Sequence, residues 1–274
     1  MTHHVFVSMP VARGVDPRVM WNVFEWRTEL EKVGHRLHGS STLHVMADLA
    51  RSELATVFLS TTCDIALLLD DDCQVSPTWI PKMVAALDAG CDILSAPCLL
   101  RNHGGGDLGI KVFNTRIVAE PVEMGGLRVA ECAWTGLGAV MVHRRVMERL
   151  HADALTRSAK PACPACGHKD RQTYQSVLMP DRTSAAIYQS SIQPATRFLA
   201  GAPEDTNVYL LDDRVFSFKC IDLGFKIHAA IDVPTVHDGM AGCFSEEAEK
   251  LSRLQAREAA RGASKLVGVD GKAI

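Results

Sequence analysis

Asp64-Ile65-Ala66-Leu67-Leu68-Leu69-Asp70-Asp71-Asp72-Cys73 is the stretch whose reading decides the fold of this 274-residue chain. An unbroken apolar run ends in three consecutive carboxylates. A run of that length reads as a strand buried on both faces of a parallel sheet. In open α/β sheets, ligands bind beyond the carboxyl ends of such strands. Adjacent carboxylates repel one another, and folding alone does not call for three of them there. A hard divalent cation, magnesium or manganese, is the natural compensation, commonly shared with substrate phosphates. A solvated acidic turn is the simpler alternative; the buried strand ahead of it favours the cation.

Working outward, strands and helices alternate. Val5-Phe6-Val7 reads as a first strand, ended by Ser8-Met9-Pro10. Asp16-Pro17 is a helix start, with Asp16 as N-cap and proline at the first helical position. Val19, Val23, Trp26 and Leu30 follow at helical spacing, with Met20 and Phe24 widening the apolar face. Gly34 stops that helix, and residues 35–38 suggest a short second strand. Residues 45–59 read as a helix presenting Leu49, Leu54 and Phe58. Beyond the acidic triplet, Ser76-Pro77 opens a helix that Gly90 closes, and residues 91–96 form the next buried strand. This alternation is the signature of a doubly wound, Rossmann-type nucleotide-binding layer.

The character changes at Arg101. Asn102-His103-Gly104-Gly105-Gly106 reads as a loop, followed by short strands near 110–114, 118–122 and 127–132, a mixed and partly antiparallel extension. Gly136-Leu137-Gly138 leads through residues 139–142 into a helix bearing Val146, Met147 and Leu150. Residues 151–201 have poor periodicity and several prolines, which suggests an insertion or mobile loop. Leu211, Val215, Phe218 and Ile221 give residues 208–223 helical spacing. A strand pair at 226–230 and 233–236 ends at His237-Asp238-Gly239, and a helical tail follows from 245. The expected fold is therefore one α/β domain over 1–274. Its first half, 1–100, is a mostly parallel sheet flanked by helices. Its second, 101–244, is mixed and carries the insertion at 151–201, and 245–274 is a tail.

Composition bounds the function. Hydrophobic residues at 47% leave material for a substantial core, and a net charge of -3 gives no global pull toward nucleic acid or membrane. No apolar stretch approaches a membrane span. The start Met1-Thr2-His3-His4 lacks a basic region and an apolar core, and nine scattered cysteines suit reduced thiols. Both point to a cytoplasmic protein.

Four segments resemble, in order, the GT-A glycosyltransferases of the family 2 type. They are Ser8-Met9-Pro10; Ala50-Arg51-Ser52-Glu53 with the strand ending in Asp70-Asp71-Asp72, similar to the family's D-x-D motif; Trp134-Thr135-Gly136-Leu137-Gly138-Ala139; and Leu211-Asp212-Asp213 with Gly224-Phe225-Lys226-Ile227 and His237. The resemblance implies a GT-A-like fold, with 1–100 as the nucleotide-sugar-binding half and 101–244 as the acceptor and metal half. It implies transfer of a sugar from a nucleotide-diphosphate sugar, a UDP-sugar first, to an acceptor hydroxyl. Asp72 would hold Mn2+ or Mg2+ with Asp70 supporting nearer the ribose and sugar, and His237 would complete the metal's protein ligands. Ser8, Pro10, Arg51, Asp70, Asp71, Trp134 and Gly136 fall on the donor side by the same resemblance. Asp71 is the member of the triplet hardest to assign; its side chain should point away from its neighbours', and its part is to shape the turn.

Asp212 and Asp213 stand at a helix start, where the dipole favours ionised carboxylates. In the family pattern the second acid is the general base, which points to Asp213, with Asp212 nearer the acceptor or supporting it, and to an inverting displacement. The family usually shows Glu-Asp; this chain has Asp-Asp, one methylene shorter. Arg51 suits a diphosphate or the ordering of the acidic loop, against an exposed helix charge. Trp134 suits a stacked sugar or base, against a core position.

Cys163-Pro164-Ala165-Cys166-Gly167-His168 has the spacing of half a zinc site, with His168 as a third ligand. Residues 144–182 also carry eight Lys/Arg against four Asp/Glu, a local excess of +4. Such an excess on the acceptor side suggests an anionic acceptor: modified nucleic acid such as phage-type DNA, a lipid phosphate or an acidic glycan. A solvated basic surface is the plain alternative. Two other functions compete. Nucleotidyl transfer would need a phosphate-binding loop after the first strand, and Val11-Ala12-Arg13-Gly14 is meagre for one. A zinc-stabilised nucleic-acid-binding protein leaves the buried-strand carboxylates without a purpose.

Overall fold

The apolar run is a strand with every residue buried, Ile65–Leu69, at the centre of the computed structural model. The structure describes residues 1–11, 14–43, 46–99, 113–161, 164, 172–189, 191–194, 207–237, 240–246, 249–250 and 252–253. The elements in the first hundred residues are β1 (His4–Val11), α1 (Pro17–Lys32), β2 (Arg36–Leu43), α2 (Ala47–Ser60), β3 (Ile65–Leu69), β4 (Cys73–Val75), α3 (Ile80–Asp88) and β5 (Ile93–Ser95). There follow β6 (Thr115–Ile117), β7 (Val122–Met124), β8 (Leu127–Thr135), β9 (Ala139–His143) and α4 (Arg144–Ala159). The chain continues through β10 (Thr173–Gln175), β11 (Thr183–Ala185), β12 (Ser191–Pro194), β13 (Asn207–Leu210), α5 (Asp212–Asp222), β14 (Ile227–Ala230), β15 (Thr235–His237) and β16 (Met240–Gly242).

The main sheet runs β2-β1-β3-β9-β5-β14-β8-β6, with β7 also on β8. Strand β1 is parallel to β2 and β3, and β14 is parallel to β5. Because β9 is antiparallel to both β3 and β5, the strands β2, β1, β3, β5 and β14 point one way, with β9 reversed among them. This is the expected α/β, GT-A-like sheet, mostly parallel with a mixed second half. The alternation of side chains along its strands divides two cores. Val5, Val7, Ile65, Leu67 and Met141 face α1 and α3, where Trp26, Leu30 and Met83 pack. Phe6, Ala66, Leu68, Val140 and Val142 face α2, α4 and α5, where Phe58, Met147 and Phe216 pack. Among the described residues, no helix is long and apolar enough to cross a membrane.

Several local expectations need correction. Ser8-Met9-Pro10 is not a turn but the continuation of β1, which β2 pairs over its full eight residues. The second strand is correspondingly longer than residues 35–38. Met20 and Phe24 are exposed; α1 instead buries Asn22, whose Oδ1 accepts the Val75 N–H at 3.1 Å. The strand expected at 118–122 is replaced by β6 and β7, and β7 turns into β8 through Gly125 and Gly126 at φ 58° and 77°. Two successive positive φ values make this the tight hairpin turn that only glycine-like residues accept readily.

Residues 207–210 form a strand rather than the start of a helix, and α5 begins at Asp212. Its buried face is Val215, Phe216, Ser217 and Cys220, while Leu211 and Ile221 are exposed. Residues 151–159 belong to α4, and the β10–β11 hairpin behind it is anchored rather than loose. Glu53 on α2 is buried and accepts from Ser176 Oγ at 2.6 Å and from the Val177 and Leu178 N–H groups at 3.1 Å. Thr56 and Ser184 hydroxyls meet at 2.8 Å, and Tyr188 stacks on Phe216 with ring centroids 5.0 Å apart. Cys163, Cys166 and His168, the loop at 102–106, residues 110–112 of the strand expected near 110–114, residues 238–239 and the tail from 254 onward lie outside the described residues; Phe113 makes a single bridge to Leu99.

Candidate functional site

The acidic triplet leaves β3 and turns at once into β4. Asp70 N–H donates to the Gly138 carbonyl at 3.0 Å, and Cys73 N–H closes the turn on the Asp70 carbonyl at 3.2 Å. The Asp71 carbonyl accepts from Asp16 N–H at 3.1 Å, tying the turn to the start of α1. Strand β4 belongs to a separate ribbon in the order β16-β15-β4. Its register sets His237 opposite Cys73, one residue past Asp72. Residues far apart in sequence are thereby brought side by side.

The His237 ring is oriented from behind. Its Nδ1 donates to the Leu99 carbonyl at 2.6 Å, because a carbonyl can only accept. In the neutral ring the lone pair then lies on Nε2, which is 3.3 Å from Asp72 Oδ1. Two acceptors facing at that distance need a cation or a proton between them. Asp70, Asp72 and His237 each offer a ligand atom, all within 4.8 Å of one another. Two carboxylates, one imidazole and a backbone carbonyl fixing that imidazole's tautomer make a donor set that fits Mn2+, with Mg2+ less natural for the nitrogen.

Arg51 joins this cluster to the acceptor side. It is buried on α2 and forms ion pairs with both Asp70 and Asp212. Burial alone would favour loss of its proton; the carboxylates of Asp70 and Asp212 more than offset this and hold the guanidinium firmly charged. Arg51 is therefore an internal brace that orders acidic side chains, not an exposed helix charge. Asp212 and Asp213 share the first turn of α5 but differ in setting. Burial pushes the Asp213 carboxyl above its ordinary range; the Arg214 N–H at 2.6 Å from its Oδ1 pulls the other way, and neighbouring Asp212 adds to the rise. The helix terminus favours ionised carboxylates; for Asp213, burial works against it and moves the carboxyl upward.

The small-residue turn is built by close approach. A Cβ on Gly136 would fall 2.0 Å from Asn114 Nδ2, and one on Gly138 would fall 2.9 Å from Cys98 Sγ. Just before it, half-buried Trp134 lies beneath the Arg214 guanidinium, 4.4 Å from the ring centroid. Thr135 N–H donates to Ser217 Oγ at 3.2 Å, and Thr135 Oγ1 donates to Ser95 Oγ at 2.7 Å. Hydroxyls thus lock α5 to the strand ends that carry the turn. Ser8 lies on the α2 side of β1 by its alternation with Phe6, and its buried hydroxyl has no partner among the described residues. Pro10 is half-buried farther along the same strand.

The structure brings Asp70, Asp72, His237, Arg51 and Asp212 into one contact network, with Asp213, Trp134 and Gly136 on the elements that adjoin it. The Leu99 carbonyl, Arg214 and Ser217 carry parts of this arrangement that the sequence did not single out, and Glu53, noted within a motif, has an anchoring role not read there. Glu53 had a signal, being a carboxylate in the Ala50-Arg51-Ser52-Glu53 segment on a helix buried on most sides. The Leu99 carbonyl had none.

Sheet order, acidic turn and helix-borne acid pair make an α/β protein with a GT-A-like arrangement. Residues 52–116 match the family model for glycosyl transferase family 2, and over that segment, from α2 through the acidic turn to β6, the chain is family 2-like. The match supports, in general terms, a nucleotide-sugar-dependent glycosyltransferase. Among solved structures, the chain is similar to A197 from STIV at 13% identity and a TM-score of 0.47, covering 86% of this chain and 85% of that one. The comparison with curated proteins gave no match.

Proposed function

We propose that this chain is a metal-dependent, inverting glycosyltransferase that uses a nucleotide-diphosphate sugar, a UDP-sugar first, with Asp213 as general base. The observation that carries the reading is the continuous network from Asp72 and His237 through Asp70 and Arg51 to Asp212, next to Asp213. Asp70, Asp72 and His237 would hold Mn2+ or Mg2+, which when bound neutralises the charge that develops on the departing diphosphate. Arg51 keeps Asp212 engaged, leaving Asp213 to accept the proton of the acceptor hydroxyl. As that proton moves to the carboxylate, the hydroxyl oxygen bonds to the anomeric carbon and the nucleotide diphosphate leaves from the opposite face. A carboxylate whose pKa is raised toward the working pH suits this task.

Arg214 supports an anionic acceptor. Its guanidinium rests on Trp134 beside Asp213, and no carboxylate pairs with its side chain among the described residues. Within the +4 stretch of residues 144–182, Arg144, Arg145 and Arg157 are already paired with Glu148, Asp92 and Asp153, so Arg214 is the observation that supports this reading. A modified nucleic acid, a lipid phosphate and an acidic glycan all carry the matching charge. Isothermal titration with UDP and Mn2+ tests the class: wild type is expected to bind UDP only with metal, and Asp72→Ala to lose that metal-dependent binding. Metal-independent binding, or no change in Asp72→Ala, would sink it.

A further inference from the structure

Two cysteines meet behind the acidic turn. Cys73 follows Asp72 and opens β4; Cys98 precedes Leu99, whose carbonyl holds the His237 ring at 2.6 Å. Both are fully buried, and their sulfurs lie 3.0 Å apart. Among the described residues these are the cysteines in sulfur-to-sulfur contact. Gly138 closes the third side: a Cβ there would sit 2.9 Å from Cys98 Sγ and 3.6 Å from Cys73 Sγ. The same glycine's carbonyl takes the Asp70 N–H. The pair therefore occupies the junction from which Asp70, Asp72 and His237 are all held.

We propose that Cys73 and Cys98 form an oxidative modification site, a dithiol that a small peroxide converts to a disulfide across the back of the candidate metal centre. One sulfur gives up its proton to the departing peroxide oxygen as it attacks the other oxygen, becoming a sulfenic acid as water leaves. The second sulfur displaces that hydroxyl as another water and forms the S–S bond. Two thiols and hydrogen peroxide thus give one disulfide and two waters, with the protein losing two electrons and two protons. Both sulfurs are enclosed, so the oxidant must be small, and hydrogen peroxide meets that requirement. No large rearrangement is needed, because a disulfide is about 2.0 Å long and the sulfurs need to close by only about 1 Å.

The closure acts on both arms of the metal centre. It draws the residue after Asp72 toward the residue before Leu99, while a well-formed metal site keeps its ligand distances to within about 0.2 Å of standard values. The oxidised form therefore holds a cation more weakly. This consequence, unlike the bond itself, rests on the metal-centre reading given above.

The test treats the purified full chain with hydrogen peroxide and follows intact mass, non-reducing peptide maps and Mn2+ titration. The expected result is a loss of about 2 Da, a single Cys73–Cys98 linked peptide, and Mn2+ affinity lower by about tenfold. Dithiothreitol reverses all three. Cys98→Ala and Cys73→Ala lose no such mass and keep their Mn2+ affinity after peroxide. Absence of the mass change, or a linkage to other cysteines, overturns the modification site. A Cys73–Cys98 bond with unaltered Mn2+ affinity overturns its effect on the metal centre. If reduced wild type binds no Mn2+ at all, the metal reading fails, and the mass and peptide data alone still decide the bond.

Discussion

Asp212 and Asp213 are neighbours in one helical turn, yet only the first is paired with a guanidinium. Under the proposed function, that difference separates a structural carboxylate from the general base. Asp213→Asn is expected to lower turnover by about 10³-fold while UDP and Mn2+ binding persist, measured by steady-state kinetics beside calorimetry. The same substitution is expected to raise the melting temperature at pH 7. The folded state holds the Asp213 proton more tightly than the unfolded chain, so its stabilising contribution is complete below the ordinary value of 3.8 and disappears as pH rises through the raised folded value. The stability gap between mutant and wild type should accordingly close at acid pH. In the wild-type rate profile, the acid limb should fall above 3.8. A gap that widened on acidification would contradict this account of Asp213.

At the scale of elements, the β10–β11 hairpin is held by one buried carboxylate on a neighbouring helix. Burial pushes Glu53 up, but the Ser176 hydroxyl and the Leu178 and Val177 N–H groups more than compensate, so its pKa is lowered. Its stabilising effect is therefore present above the ordinary 4.5 and is lost as pH falls through the depressed value. Glu53→Gln, which replaces an accepting oxygen by a donor among donors, is expected to cost about 2 kcal/mol, read from the urea midpoint at neutral pH. The hairpin was hard to read from sequence because its stability comes from a residue more than a hundred positions earlier, not from its own periodicity. Strand β13 was obscured for a related reason: Leu211, Val215, Phe218 and Ile221 fit a helical stripe, but the helix buries the adjacent Phe216 and Cys220. Strands β3 and β5 were legible because burial on both faces leaves an unbroken apolar run.

At the scale of the molecule, Arg51 spans two regions of the chain, pairing Asp70 after β3 with Asp212 at the start of α5. Arg51→Met would leave two partly buried carboxylates without their shared cation, and is expected to destabilise the fold by about 3 kcal/mol in urea unfolding. Adding Asp212→Asn should recover part of that loss, since the two sites are coupled; strict additivity would argue against the brace. The acidic triplet and the Asp212-Asp213 pair were visible as motifs. That one arginine links them was not, because the sequence alone left its partner open between phosphate and carboxylate. His237 came into view through family resemblance, since strand register is a non-local property. That register has a further consequence during synthesis. Because His237 reaches Asp72 only when β15 zips onto β4, a chain that has emerged as far as α5 already displays its acid pair and acidic turn but lacks the imidazole. The three-ligand cluster is thus the last part of the site to exist, and a nascent or truncated chain is incomplete at its centre until residue 237 has docked.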